Sequence, residues 1–216
     1  MVNRGARALV LVSRRQPSTD AVETIESLQR SGASVHVKHV DVSKRDEVEA
    51  LFEEIDRTLP PLRGIVHAAG VNDDGVLADQ TWERFAGVLA PKIAGAVNLD
   101  QQSRSRDLDF FVMFSSVTSV IPAAGQGSYA AANAASRRAR SRAQGLGSSW
   151  LSVNWGQWSA GMAEAVDDRT RRRWIELGMR PLRRQAWNRP LRAPAPGQHP
   201  AGPWRFRLTG RSSWAA

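Results

Sequence analysis

The only tyrosine of the chain, Tyr129, stands 13 residues after Ser116 and four before Asn133, in FSSVTSVIPAAGQGSYAAANAA (Phe114 to Ala135). The alanines and glycines around it offer little bulk for a core. If a carbonyl is reduced, a phenol so placed is the natural general acid, its hydroxyl giving a proton to the oxygen as hydride arrives at carbon. A free phenol, with a pKa of about 10, is a sluggish acid at neutral pH. A nearby ammonium favours the phenolate and eases proton release, and Lys92, directly after Pro91, can supply it. Ser116, at the end of an expected strand, can hydrogen-bond the substrate oxygen. Asn133, one helical turn beyond Tyr129, shares its face and can position Lys92 or a relay water. Ala130 to Ala132 and Gly125 to Gly127 would let a flat ring approach closely. The plain alternative is a buried tyrosine and a lysine unrelated to it in space.

These residues need a scaffold, and the chain alternates strand and helix signals. ALVLVS (Ala8 to Ser13) is a short apolar run of the buried parallel type, and Ser18 to Ser31 follows with helical spacing, Ser18 or Thr19 being the N-cap. Ser34 to Ser43 alternates as a strand, and Asp46 to Leu59 is amphipathic with Val48, Leu51, Phe52 and Ile55 on one face. Further strands are expected at Gly64 to Gly70, Leu108 to Ser115 and Trp150 to Trp155, and helices at Trp82 to Leu99 and Ser128 to Gln144. Regular alternation predicts an α/β fold, a parallel sheet covered by helices on both faces.

The segment around Tyr129, with HAAGVNDDGVL (His67 to Leu77) before it, APKIAGAVNLD (Ala90 to Asp100) between them and SVNWGQW (Ser152 to Trp158) after it, resembles the ketoreductase domain of modular or iterative polyketide synthases. That family lies within the short-chain dehydrogenase/reductase superfamily, and the likeness runs from about Arg4 to Leu182. The residue four after Tyr129 is Asn133, and the lysine comes earlier, at Lys92, an exchange that separates synthase-embedded ketoreductases from free-standing ones. The resemblance implies a Rossmann-like doubly wound parallel sheet. It makes Tyr129 the proton donor, Ser116 the residue that positions the oxyanion, and Lys92 with Asn133 the supporting pair. The expected reaction is reduction of a carrier-bound β-ketoacyl thioester to β-hydroxyacyl with NADPH. Its partners would be the acyl carrier protein and the other domains of a polyketide synthase.

An arginine at the end of the second strand of a dinucleotide fold suits the extra phosphate of NADP, and ALVLVSRR ends in Ser13, Arg14 and Arg15. Arg14 is the chosen phosphate ligand, since a guanidinium forms paired bonds to phosphate; a solvated turn arginine is the alternative. Asp41 and Val42 match the family's adenine edge, and Ala68, Ala69 and Gly70 its close passage by the nicotinamide ribose. Asp73 and Asp74 match two positions of the Leu-Asp-Asp pattern of members giving the D-hydroxy product, where Asn72 departs from it. Ile121 stands where the opposite type has tryptophan. Asp73 and Asp74 can equally be a polar turn.

If ALVLVS is the family's second strand, the first strand and its glycine-rich turn are lacking, and the chain is expected to be a truncated ketoreductase that binds NADPH weakly. A catalytically silent remnant is the rival reading. The 216 residues carry a net charge of +9, but residues 1–136 hold 14 Lys/Arg against 17 Asp/Glu, and residues 137–216 hold 16 Arg against four acids. The first 182 residues read as one domain, and the Pro/Arg/Trp-rich stretch 183–216 as a poorly ordered tail that buries too little to offset its entropy. Arg beside Trp and Phe in WRFR leaves a basic nucleic-acid-binding protein as a remote alternative. There is no cysteine, which excludes disulfides and thiolate metal sites and suits a cytoplasmic location. His36, His39, His67 and His199 have no metal-ligand spacing, so no metal is expected.

Overall fold

The computed structural model describes residues 1–2, 5–144, 150–158, 172, 175–176, 178 and 182. The expected tail lies outside them. The elements run β1 (Ala8–Ser13), α1 (Thr19–Arg30), β2 (Ser34–His39), α2 (Arg45–Thr58), β3 (Gly64–His67), α3 (Trp82–Ser103), β4 (Phe110–Ser116), α4 (Gly127–Gln144) and β5 (Trp150–Trp155). The alternation is that of an α/β protein, and every strand pairing is parallel.

Local chemistry sets the boundaries. Ser18 caps α1, its hydroxyl accepting from the Ala21 amide at 3.3 Å, with Asp20 in the first turn and Arg30 in the last, each matching the helix dipole. Thr81 caps α3 in the same way, accepting from Arg84 N. The strand expected to reach Ser43 ends at His39. Past it Asp41 folds the chain back, its carboxylate accepting from the amide (3.0 Å) and hydroxyl (2.7 Å) of Ser43. The strand expected to reach Gly70 likewise ends at His67, and α3 runs one turn beyond Leu99.

The sheet comes in two parts. β1 pairs with β2 alone, and β3, β4 and β5 form a separate ladder in that order, so no hydrogen bonds join β1 to β3. The resemblance places the family's first strand at this position. One face of the three-stranded part is well covered. Ile65 of β3, Phe111 and Met113 of β4 and Trp150 of β5 meet Val48 and Phe52 of α2 and Ala96 and Leu99 of α3 in a single core. Phe111 and Trp150 stack at 4.4 Å within it. Val48, Leu51, Phe52 and Ile55, the face read from the sequence, are all buried. The other face of this part is less covered, Val66 being 41 % exposed. In the two-stranded part Leu11 and Val12 are each 38 % exposed and α1 buries none of its residues. Among the described residues no helix is long and apolar enough to cross a membrane, and no group of three or more His, Asp or Glu is placed to hold a metal ion.

Candidate active site

The carboxyl end of β4 and the first turns of α4 bring three of the four predicted groups together. Ser116 is the last residue of β4, 9 % exposed, with its hydroxyl accepting from the Thr118 amide at 3.2 Å. Tyr129 lies in the first turn of α4, and its phenol faces the side chains of Ser116 and Asn133. Burial pushes the phenol pKa up, the bonds to Asn133 and Ser116 oppose that rise, and the charge of Asp74 adds to it. Asn133 is fully buried; its Nδ2 donates to the Tyr129 carbonyl at 2.9 Å, and its own carbonyl accepts from Ser115 Oγ at 3.1 Å. Its side-chain Oδ1 is buried without a partner. An acceptor so enclosed suits a water or a ligand hydroxyl.

Lys92 reaches the same strand end from α3. It is 3 % exposed, and its amine donates to the Phe114 carbonyl at 2.6 Å. Burial pushes its pKa down to about 8. The ammonium is not among the groups that shift the Tyr129 phenol; its grip is on the backbone of β4, two residues before Ser116. The lysine stem lies against Gly70, where a Cβ would fall 2.8 Å from Lys92 Cε. Sequence reasoning took Gly70 only as a close passage for a ribose, and missed that the lysine itself needs the space.

The loop carrying Asp73 and Asp74 is braced against the start of α4. Arg84 forks onto both oxygens of Asp73, with Nε to Oδ2 at 2.9 Å, and its Nη1 and Nη2 also donate to the carbonyls of Asp79 (3.0 Å) and Asp74 (3.2 Å). Gln126 Nε2 donates to Asp74 Oδ2 at 3.0 Å, and the Gly75 amide donates to the carbonyl of Gly125, whose φ of 79° suits glycine. Arg84 and Gln126 escaped sequence reading because nothing local marks a side chain that reaches another loop. Asn72 directly precedes Asp73 in this loop, and Ile121 is 44 % exposed.

At the other sheet, Ser13 and Arg14 stand at the exposed end of β1. Ser13 Oγ accepts from the Arg15 amide, and the half-exposed Arg14 guanidinium has one nitrogen 3.6 Å from Asp41. Burial raises the Asp41 pKa, but the Ser43 hydrogen bonds and the Arg14 and Lys44 charges outweigh it and hold the carboxyl below its ordinary value. No described bond engages the other guanidinium nitrogens, so Arg14 has donors left for a phosphate group, with Asp41 beside it. Val42 turns its side chain into the core, where it meets α3 at Gly95, and its carbonyl accepts from Asn98 Nδ2 at 3.0 Å. Ala68 and Ala69 follow β3 directly, Ala69 packing on the core.

His67, the last residue of β3, is 2 % exposed. Burial and the charge of Lys92 push its pKa down to about 4, against the pull of hydrogen bonds to the Pro91 and Lys92 backbone. The unfolded chain therefore binds the proton first. Stability from the neutral ring is complete above about pH 6.5 and is lost as pH falls towards 4, by about 3 kcal/mol in all. Denaturant midpoints measured across that window should fall with pH in the wild type and flatten in His67→Phe.

Comparison with known proteins gives the family. The KR domain family model matches residues 1–160. Phenolphthiocerol synthesis polyketide synthase type I Pks15/1 of Mycobacterium marinum is 39 % identical over 181 residues, covering 82 % of this chain and 9 % of that protein. The 6-methylsalicylic acid synthase of Penicillium patulum is 41 % identical over 186 residues, covering 77 % and 10 %. Among solved structures, a ketoreductase domain from the bacillaene assembly line superposes with a TM-score of 0.77 at 34 % identity, over 87 % of this chain and 46 % of that one. An A-type ketoreductase from a modular polyketide synthase gives 0.77 at 33 %, over 86 % and 39 %. The chain belongs to the KR domain family, the ketoreductase domains of polyketide synthases. It spans about a tenth of the length of these curated relatives and less than half of the solved ketoreductase chains.

Proposed function

We propose that the chain is the β-ketoacyl reductase part of a polyketide synthase, reducing a β-ketoacyl thioester on an acyl carrier protein with NADPH, beside the other synthase domains. The observation that carries this reading is the convergence of Ser116, Tyr129 and Asn133 at the end of β4, with Lys92 anchored two residues away on the Phe114 carbonyl. NADPH, when bound, supplies the hydride. Ser116 then holds the substrate oxygen, and Tyr129 gives it the proton. Asn133, through its unpartnered Oδ1, holds a water or hydroxyl in line, and Lys92, with its pKa lowered to about 8, can return a proton to the tyrosine near neutral pH. Arg14 grips the adenosine phosphate, with Asp41 and the Val42 backbone at the adenine and Ala68 to Gly70 at the nicotinamide ribose. Asp73 and Asp74 support a D-hydroxy product, and the site is proposed to work in the cytoplasm.

The test is loss of NADPH absorbance on addition of a β-ketoacyl thioester. NADPH should be preferred over NADH, and Arg14→Glu should cut that preference by about tenfold or more, as expected for losing a charge-assisted bond worth about 1.5–3 kcal/mol. No substrate-dependent consumption at any protein concentration overturns the reading. The break between β1 and β3 favours a second reading, a catalytically silent remnant or at best a slow enzyme, because it separates Arg14 from the Tyr129 sheet.

A further inference from the structure

His67 has no part in the chemistry proposed above, yet it is among the most enclosed polar residues, and its ring lies under the turn of α3 that carries Lys92. Three features of its surroundings bear on that lysine. The ring faces the backbone of Pro91 and Lys92, which acts on it as a hydrogen-bond acceptor. Its Nε2 is buried without a partner, which leaves Nδ1 to face that backbone and so to carry the proton of the neutral ring. The ring is also wedged: a Cβ at Gly95, one turn along α3, would lie 3.2 Å from His67 Cε1 and 2.8 Å from Val42 Cγ2.

The turn in question is a weak point of the helix. Pro91 lacks an amide hydrogen, so the Gly87 carbonyl loses its usual donor one residue before Lys92. From there the lysine stem must pass Gly70 and deliver its amine to the Phe114 carbonyl. A small rotation of the Pro91–Lys92 turn, multiplied by the length of a lysine side chain, would carry the amine off that acceptor.

We propose that His67 is a positioning residue for Lys92: its Nδ1–H, fixed at the end of β3, sets the rotation of the Pro91–Lys92 turn and so the place of the Lys92 amine. A neutral donor suits this role, since a charged one would set a second cation beside the ammonium. The functional importance of this role rests on the reductase reading above, but its test needs neither substrate nor cofactor, so a failed reductase assay and a failed positioning test are distinguishable.

The chain has three lysines and four histidines, so selective nitrogen-15 labelling gives few and assignable signals. In the full chain the His67 ring should show the Nδ1–H tautomer; an Nε2–H tautomer overturns the proposal without any variant. His67→Phe keeps the volume and removes the donor. If His67 positions the amine, Lys92 leaves its acceptor, meets water, and its titration rises from about 8 by about one unit or more towards the ordinary lysine value. If His67 only fills space, Lys92 stays under equally apolar cover and its titration stays or falls, which overturns the proposal. His67→Asn, whose Nδ2 stands in for Nδ1, should keep the Lys92 titration near 8, and a rise equal to that of the Phe variant counts against the hydrogen bond as the cause. Should His67→Phe not fold, the tautomer and the Asn variant decide: the expected result in both supports the proposal, and failure of either overturns it.

Discussion

Tyr129→Phe is expected to lower kcat for β-ketoacyl reduction by about 10²–10⁴-fold, the range for losing a positioned general acid, with little change in cofactor affinity or in Tm. The change removes one oxygen. The ring stays in the first turn of α4, and Asn133 keeps its bond to the Tyr129 carbonyl, which belongs to the backbone. What goes is the donor that Ser116 and Asn133 face. Because Tyr129 is the only tyrosine, the ultraviolet tyrosinate titration of the chain reports this phenol alone. It should lie above the ordinary value, as burial requires, and vanish in the variant. Unchanged turnover in Tyr129→Phe, alongside substrate-dependent NADPH consumption by the wild type, would remove Tyr129 from the mechanism. No activity in either would instead favour the silent remnant.

Gly70→Ala should be the second most damaging single change, lowering kcat by about tenfold to a hundredfold, as small displacements of catalytic groups do. An added Cβ would lie 2.8 Å from Lys92 Cε and 3.4 Å from its amine. The lysine end is flexible and can move aside, so the fold should survive with Tm nearly unchanged. The displaced amine would give up the Phe114 carbonyl and regain solvent, and its titration should climb from about 8 towards the ordinary lysine value. A normal kcat with a shifted Lys92 titration would show that the Phe114 contact is dispensable. A normal titration would show that the stem has another route past residue 70.

Much of the fold was legible because its signals are local. The face Val48, Leu51, Phe52 and Ile55 follows helical periodicity and is buried as a unit, and Ser18 announces α1 by its own hydroxyl. Tyr129, Ser116 and Asn133 were legible as a group because a 13-residue spacing and a four-residue spacing put them at one strand end and on one helix face. The rest depends on contacts between distant segments. Nothing near Gly70 reveals that Lys92 lies against it, and nothing near Asp73 reveals Arg84. The expected strand overran β2 because apolar residues go on past His39, but the alternation of Val35 and Val37 changes phase at Val40 and Val42, and the Asp41 turn to Ser43 breaks the strand. His67 enters the sequence reading only as a metal ligand that its spacing rejects, and the facing of its ring to the Pro91–Lys92 backbone has no sequence signature.

The break between β1 and β3 has a thermodynamic side. β1, α1 and β2 share no ladder with the strands that hold Tyr129; the described ties include Lys38 of β2 on Glu54 of α2, Val40 and Val42 at the core, the Val42 carbonyl on Asn98, and the Glu49–Gln102 contact between α2 and α3. Amide protons of β1 and β2 should accordingly exchange through sub-global openings that leave β3 to β5 closed. In each such opening the phosphate grip proposed for Arg14 departs while the tyrosine end stays assembled, so coenzyme retention is expected to be the first property to fade on warming.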